Sequence, residues 1–207
     1  MASTKSLVRP PVDLSEQPLS VVAVAPKVLC RVSRYNTGEP FFGRSGLCRF
    51  DDPTSEPGLR FGTCYLGFNL AVAFAESVLH NEQPCNGRFM IPTSEIDSRW
   101  VLSFKGRRKL RLANMTGRHL LRLGGNGELS GTSDYRLPQA WAAAVLAHPS
   151  RVDGMMYMSR RVNDSAAAVL FERTPGHPPA IRLDQALPLF HHTDFVQTIE
   201  DFGVGLM

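Results

Sequence analysis

Three side chains combine a chemically useful type with an unusual setting. Glu76 lies in the run Asn69-Leu-Ala-Val-Ala-Phe-Ala-Glu-Ser-Val-Leu79, where Leu70, Val72, Phe74, Val78 and Leu79 leave almost no polar face. A helix that is apolar all round is a buried helix, and a carboxylate in it is costly unless paired or hydrogen-bonded. Its helical neighbours are Val72, Ala73, Leu79 and His80, so only His80 could help from the same helix. The plainer alternative is a helix edge facing water. Arg49 sits in a Gly-rich loop beside Phe50. A guanidinium next to an aromatic ring suits a phosphate with a stacked ring, and it also suits an ordinary surface loop. Ser159 follows the apolar run Met155–Met158 and precedes Arg160 and Arg161. At the end of a buried strand such a serine faces a ligand or simply closes a turn.

Other patterns point to less. No G-x-S-x-G elbow occurs, so nucleophilic hydrolase chemistry is not supported. Gly124-Gly-Asn-Gly127 lacks the Lys-Ser/Thr of a P-loop and does not match G-x-G-x-x-G, which leaves a tight turn. His80, His119, His148, His191 and His192 show no metal-ligand spacing, and no metal is expected. Lys105–Arg111 holds five basic residues in seven positions. Nucleic-acid binding is the tempting reading, but no aromatics interleave, and a solvated turn or edge strand fits better. Bottom-up, the residues give an Arg–Glu site without naming a reaction.

The elements that would position this site are short. Strands are predicted at Val28–Val32, Thr63–Gly67, Gly87–Ile91, Trp100–Phe104, Gly154–Met158 and Ala167–Phe171. Gly38–Gly62, with three prolines, reads as loop. One helix is predicted from an Asn69 N-cap through Leu79, and another from Leu137 or Pro138 to Ala147. The tail from Thr174 is Pro-rich at first, then predicts a strand at Ala180–Leu183 and a short helix near Asp194–Ile199. Leu19–Ala25 packs as strand or helix; its period does not decide which. Strands and helices mix without strict alternation, so the class is α+β.

The 207 residues suit one domain, or one domain plus arms. With 43% apolar and 20% charged residues the composition is that of a globular protein. No apolar run approaches the roughly 20 residues of a membrane span. A net charge of +4 favours anionic partners, including phosphate-bearing small molecules. Cys30, Cys48, Cys64 and Cys85 form no C-x-x-C pair, and no secretory leader precedes them. Reduced thiols in a cytoplasmic protein are expected.

An ordered set of short segments resembles one family. Leu29-Cys-Arg31-Val, Cys48-Arg49-Phe50-Asp51, Cys64-Tyr65-Leu-Gly67 and Ala73-Phe-Ala-Glu76 come first. Thr116-Gly117, Gln139-Ala-Trp141, Ala147-His-Pro149, Asp153-Gly-Met-Met-Tyr157-Met-Ser159-Arg160 and Ala168-Val-Leu-Phe171 follow. In this order they resemble the RES domain family, named for its Arg, Glu and Ser motifs, over roughly Leu29 to Arg173. Phe50 and Asp51 stand where the family has Trp and Asn, and Asp52–Gly62 lengthens the gap between Arg49 and Tyr65.

The resemblance implies a single α+β domain with twisted central β-structure and flanking helices, similar to ADP-ribosyltransferase toxins. It places the RES domain over 27–175; outside it, residues 1–26, interrupted by Pro10, Pro11 and Pro18, are expected as an arm, and 176–207 as a C-terminal extension packed on the domain. The implied activity is that of a toxin-like enzyme that cleaves the nicotinamide–ribose bond of NAD+ by phosphorolysis or hydrolysis; the alternative is mono-ADP-ribosyl transfer to a protein. NAD+ is then substrate rather than cofactor, with inorganic phosphate a candidate co-substrate, and the partner is a cognate antitoxin with a helix-turn-helix domain. Arg49, Tyr65, Glu76 and Ser159 carry over as catalytic, and Arg31, Phe50, Tyr157 and Arg160 as NAD-binding. In that scheme Glu76 stabilises the oxocarbenium-like centre and Arg49 grips the pyrophosphate. Phe50 and Tyr65 stack on or wall in the nicotinamide–ribose end. Ser159 hydrogen-bonds the ribose or a phosphate, and Arg160 holds an acceptor phosphate.

Overall fold

A computed structural model describes residues 8–174 and 180–207. In chain order the elements are β1 (Val21–Val24), β2 (Cys30–Ser33), β3 (Gly62–Gly67), α1 (Leu70–Ala75), β4 (Phe89–Ile91), α2 (Thr93–Asp97), β5 (Trp100–Lys105), β6 (Leu110–Met115), α3 (Gly117–Arg122), α4 (Glu128–Gly131), α5 (Arg136–Ala147), β7 (Gly154–Met158), β8 (Ala166–Glu172), β9 (Arg182–Pro188), α6 (Phe195–Asp201) and β10 (Val204–Leu206). Eight strands form one sheet in the order β1-β6-β7-β8-β3-β2-β5-β9. Neighbours are antiparallel except β6 and β7. The remaining two, β4 and β10, pair in parallel beside it.

Strand periodicity divides the core. On β8, Ala167, Val169 and Phe171 face Trp141, Ala142 and Val145 of α5. Ala168 and Leu170 face the other way, into a cluster with Leu110 and Leu112 of β6 and Leu102 and Phe104 of β5. Strands β6 and β5 stand near opposite ends of the sheet order, so sharing one core requires a strongly twisted sheet that curls over itself. The outer residues Val32 and Val101 meet α1, α2 and α6 through Phe74, Ile96 and Phe195. The class is α+β, as expected.

Where β3 turns into α1, the backbones meet closely. A Cβ on Gly67 would stand 2.7 Å from the Ala73 nitrogen and 2.9 Å from the Asn69 carbonyl oxygen, so only glycine fits. Asn69 caps the helix, its side chain accepting from the Val72 N–H at 2.9 Å. The helix is shorter than its apolar run predicts. It stops at Ala75, Glu76 is its C-cap, and Val78 and Leu79 are buried in the irregular turn that follows.

Several elements differ from the sequence-based expectations. The basic run ends in a full strand, β6, which is internal to the sheet. Strand β10 and helix α3 carry no clear sequence signal, and β9 starts at Arg182 rather than Ala180. The expected boundary at 175/176 and residues 175–179 of the Pro-rich tail lie outside the described residues. Leu19–Ala25 resolves as strand β1, an edge strand antiparallel to β6. No helix among the described residues is long and apolar enough to cross a membrane.

The described residues ahead of β2 are tied into the body. Leu14 is 3% exposed and belongs to the core that holds Trp141. The Trp141 indole N–H donates to the Val8 carbonyl at 2.9 Å, and His148 Nε2 bonds the Gln17 carbonyl at 3.0 Å. Leu14→Ala is therefore expected to cost about 2–4 kcal/mol, as a buried truncation does. The check is the midpoint of urea unfolding; an unchanged midpoint would show that the segment is a loose arm.

Candidate active site

Glu76 sits where α1 ends, with a partner far along the chain. Ser159, at the end of β7, is 1% exposed. Its hydroxyl donates to Glu76 Oε1 at 2.5 Å, and the Arg160 N–H donates to the same oxygen at 3.2 Å. The Ser159 oxygen in turn accepts from the N–H groups of Arg161 and Val162, at 3.2 and 3.1 Å. Its one proton and both lone pairs are thus engaged, so Ser159 orients Glu76 instead of reaching a ribose or phosphate. His80, the one same-helix neighbour that could have helped, is exposed and lends its carbonyl to the Arg161 guanidinium. Both hydrogen bonds to the Glu76 carboxylate end on Oε1. Glu76 also lines a cavity of about 150 Å³, with Arg31, Tyr65, Gly67, Ser77 and Tyr157 among the other walls.

The loop carrying Arg49 is organised by Asp51, which is 2% exposed. Asp51 Oδ2 accepts from Ser45 Oγ at 2.7 Å and the Cys48 N–H at 3.2 Å. Its Oδ1 accepts from Thr63 Oγ1 at 2.6 Å and the Tyr65 hydroxyl at 3.0 Å. Tyr65 also accepts from the Phe50 N–H at 2.9 Å, so its hydroxyl ties β3 to the loop. Asp51 replaces the family's Asn without placing a charge in the cavity, because the carboxylate is turned into this cage. Asp52 closes the long insert by accepting from the N–H groups of Thr54 and Phe61, each at 2.8 Å. Arg60 holds the carbonyls of Thr54 and Ser45 across it, at 2.7 and 2.6 Å.

The cage has a pH signature. Burial raises the pKa of Asp51, but the Thr63 and Ser45 hydroxyls, the Cys48 N–H and Tyr65 outweigh it, and the value falls below the ordinary 3.8. A depressed carboxylate stabilises the fold fully above its unfolded pKa, and that share is lost as pH falls through the folded value. Asp51→Asn is expected to cost about 1–3 kcal/mol at neutral pH, since an amide cannot serve every donor. It should also flatten the loss of stability below about pH 4. Urea midpoints of the two proteins, measured from neutral pH downward, check this; parallel curves would contradict it.

Arg49 is 9% exposed. Its Nη1 donates to the Thr132 carbonyl at 2.7 Å, and its Cζ stands 4.6 Å from the Tyr135 ring centroid. Burial lowers its pKa, and its charged neighbours include Arg160 and Glu76. Phe50 corrects an expectation. It is wholly buried in the core with its ring against Tyr157, centroids 4.6 Å apart at 60°. It cannot stack on a ligand there, and it steadies Tyr157 from behind. Tyr157 is buried and lines the cavity; burial, then the Glu76 charge, push its pKa far up, so it stays a hydroxyl donor. Arg31 lines the cavity too, with Nη1 bonded to Glu39 at 3.2 Å and to the Phe41 carbonyl at 3.3 Å.

The structure therefore gathers Arg31, Tyr65, Glu76 and Tyr157 around one cavity, puts Ser159 directly behind Glu76, and sets Arg49 and Arg160 in its field. The model of the RES domain matches residues 28–192. The chain belongs to the RES domain family. A probable toxin of Sinorhizobium fredii (strain NBRC 101917 / NGR234), y4kH, is 26% identical over 122 residues, which are 58% of this chain and 93% of that protein. A chain of the M. tuberculosis MbcT–MbcA toxin–antitoxin complex superposes with a TM-score of 0.57 at 12% identity, covering 82% of this chain and 86% of that one. At that identity the likeness speaks for the fold.

Other clusters of this RES domain are engaged structurally. Lys105 pairs with Asp184, and Arg108 forks onto Asp153 at 2.6 and 2.7 Å. Gly124 adopts φ +84° in the turn between α3 and α4. All four cysteines are free. Among the described residues, no group of three His, Cys, Asp or Glu side chains is placed to hold a metal ion. Residues missed by reading the sequence are Thr132 and Tyr135, which hold Arg49, and Glu39, which holds Arg31. No motif marks Tyr135. Asp51 was visible only as a departure from the family pattern.

Proposed function

We propose that this RES domain cleaves the nicotinamide–ribose bond of NAD+, by phosphorolysis or hydrolysis, as the toxin of a toxin–antitoxin pair acting on the cytoplasmic pool. Family membership supports the reading, as do a relative named a probable toxin and a solved neighbour taken from a toxin–antitoxin complex. The observation that carries the chemistry is Glu76, a carboxylate in a cavity wall with one oxygen held by Ser159 and the Arg160 N–H.

The cavity is small for a dinucleotide, since sites for drug-sized ligands start at roughly 300 Å³. It suits the nicotinamide–ribose end, leaving the pyrophosphate to Arg49. When the C1′–N bond breaks, its electron pair returns to the pyridine nitrogen, and nicotinamide leaves neutral. Positive charge grows on the ribose, and a prefixed carboxylate beside it lowers the barrier. Oxygen of phosphate or water then bonds C1′; water also releases a proton. Tyr157 supplies a hydroxyl donor, and Arg160, whose charge is felt at Arg49, is assigned the acceptor phosphate. The cognate antitoxin is proposed to carry a helix-turn-helix domain.

The test is NAD+ labelled in its adenylate, incubated with purified protein with and without inorganic phosphate. Labelled ADP-ribose 1″-phosphate supports phosphorolysis, and labelled ADP-ribose supports hydrolysis. Label fixed to protein in an added cell extract would favour transfer. Intact NAD+ in every arm would overturn the reading.

A further inference from the structure

We infer that Tyr135 is the positioning residue of Arg49, and that the start of α5 readies this guanidinium for a pyrophosphate. The kinetic part of this inference rests on the reading above; the positional part does not. Arg49 extends from a loop, and a loop arginine ordinarily samples many rotamers. Here its Cζ lies over the Tyr135 ring, and Nη1 is tied to the Thr132 carbonyl. A guanidinium has five N–H donors, so these contacts fix its orientation while leaving donors for a ligand. Stacking matters because bidentate recognition of a phosphate depends on the plane of the fork, not on charge alone.

The platform is itself fixed. Tyr135 is the N-cap of α5, the longest helix among the described residues, and has helical dihedrals. The turn before it is closed by the Asp134 N–H donating to Thr132 Oγ1 at 3.1 Å. Asp134 accepts from the Arg136 guanidinium at 2.9 and 2.6 Å. One helical turn further on, buried Gln139 donates to the carbonyls of Gly46 and Cys48, each at 3.0 Å. The same end of α5 therefore holds both the backbone and the guanidinium of the Arg49 loop.

Tyr135→Leu, Tyr135→Gln and Tyr135→Phe, each checked for a cooperative thermal melt, provide the test. The first readout is the Nε–H resonance of Arg49, assigned by its loss in Arg49→Lys. It is expected to show a ring-current shift in the wild type and in Tyr135→Phe, and to lose it in the Leu and Gln variants. The second is NAD+ turnover. KM is expected to rise about ten-fold in the Leu and Gln variants with kcat within about two-fold, and Tyr135→Phe to recover most of the loss. An Arg49 resonance that keeps its shift without the ring would overturn the inference. So would a lost shift with an unchanged KM. If the wild type turns over no NAD+, the enzymatic reading fails, and the resonance alone decides the positional claim.

Discussion

Glu76→Gln is expected to lower kcat for nicotinamide release by about 10²–10³-fold, while KM and thermal stability stay near the wild-type values. The amide keeps the size of the side chain and an oxygen that can accept from Ser159 and the Arg160 N–H, so the local hydrogen bonds survive. What disappears is the negative charge beside the ribose. That charge favours the transition state more than the ground state, because the positive centre forms only as the C1′–N bond breaks. The loss therefore belongs in kcat. Equal loss in kcat and in the melting temperature would mean that Glu76 is structural. Full turnover by Glu76→Gln would remove it from the chemistry.

Arg49→Ala is expected to act on the other parameter. Hydrogen bonds to a charged group contribute about 1.5–3 kcal/mol, so losing the fork on a pyrophosphate predicts a KM higher by about 10²-fold. Arg49→Lys should fall between the two, since lysine keeps the charge but neither the fork nor the stack on Tyr135. The Asp51 cage and Gln139 hold the loop backbone independently of the Arg49 side chain, so the fold should tolerate both changes. Initial rates over a range of NAD+ concentrations separate the parameters. An effect confined to kcat would place Arg49 at the reacting centre and not on the pyrophosphate.

Much of this site was legible in the chain because its parts are local. The Asn69 cap, the apolar run around Glu76 and the strand ending at Ser159 are each written in consecutive residues, and each is found. The early end of α1 was not legible. Its run stays apolar through Leu79 because the following turn is buried as well, and periodicity cannot tell a buried turn from a buried helix. The partners across space were hidden too. Ser159 and Glu76 stood out separately, but their hydrogen bond spans 83 positions and depends on β3 and β7 both pairing with β8. Phe50 misled because adjacency to Arg49 suggests a shared role, whereas neighbouring residues of a tight loop point in opposite directions. Arg49 takes its ring from Tyr135, and Phe50 enters the core. Strand β6 was masked by its basic approach, although Leu110, Leu112 and Ala113 are fully buried.

The most direct measurement is free nicotinamide followed by proton NMR after purified protein is mixed with excess NAD+. The account predicts nicotinamide accumulating through many turnovers in the wild type and only a trace with Glu76→Gln. An unchanged NAD+ spectrum over a folded wild-type protein, or equal rates for the two proteins, would contradict it.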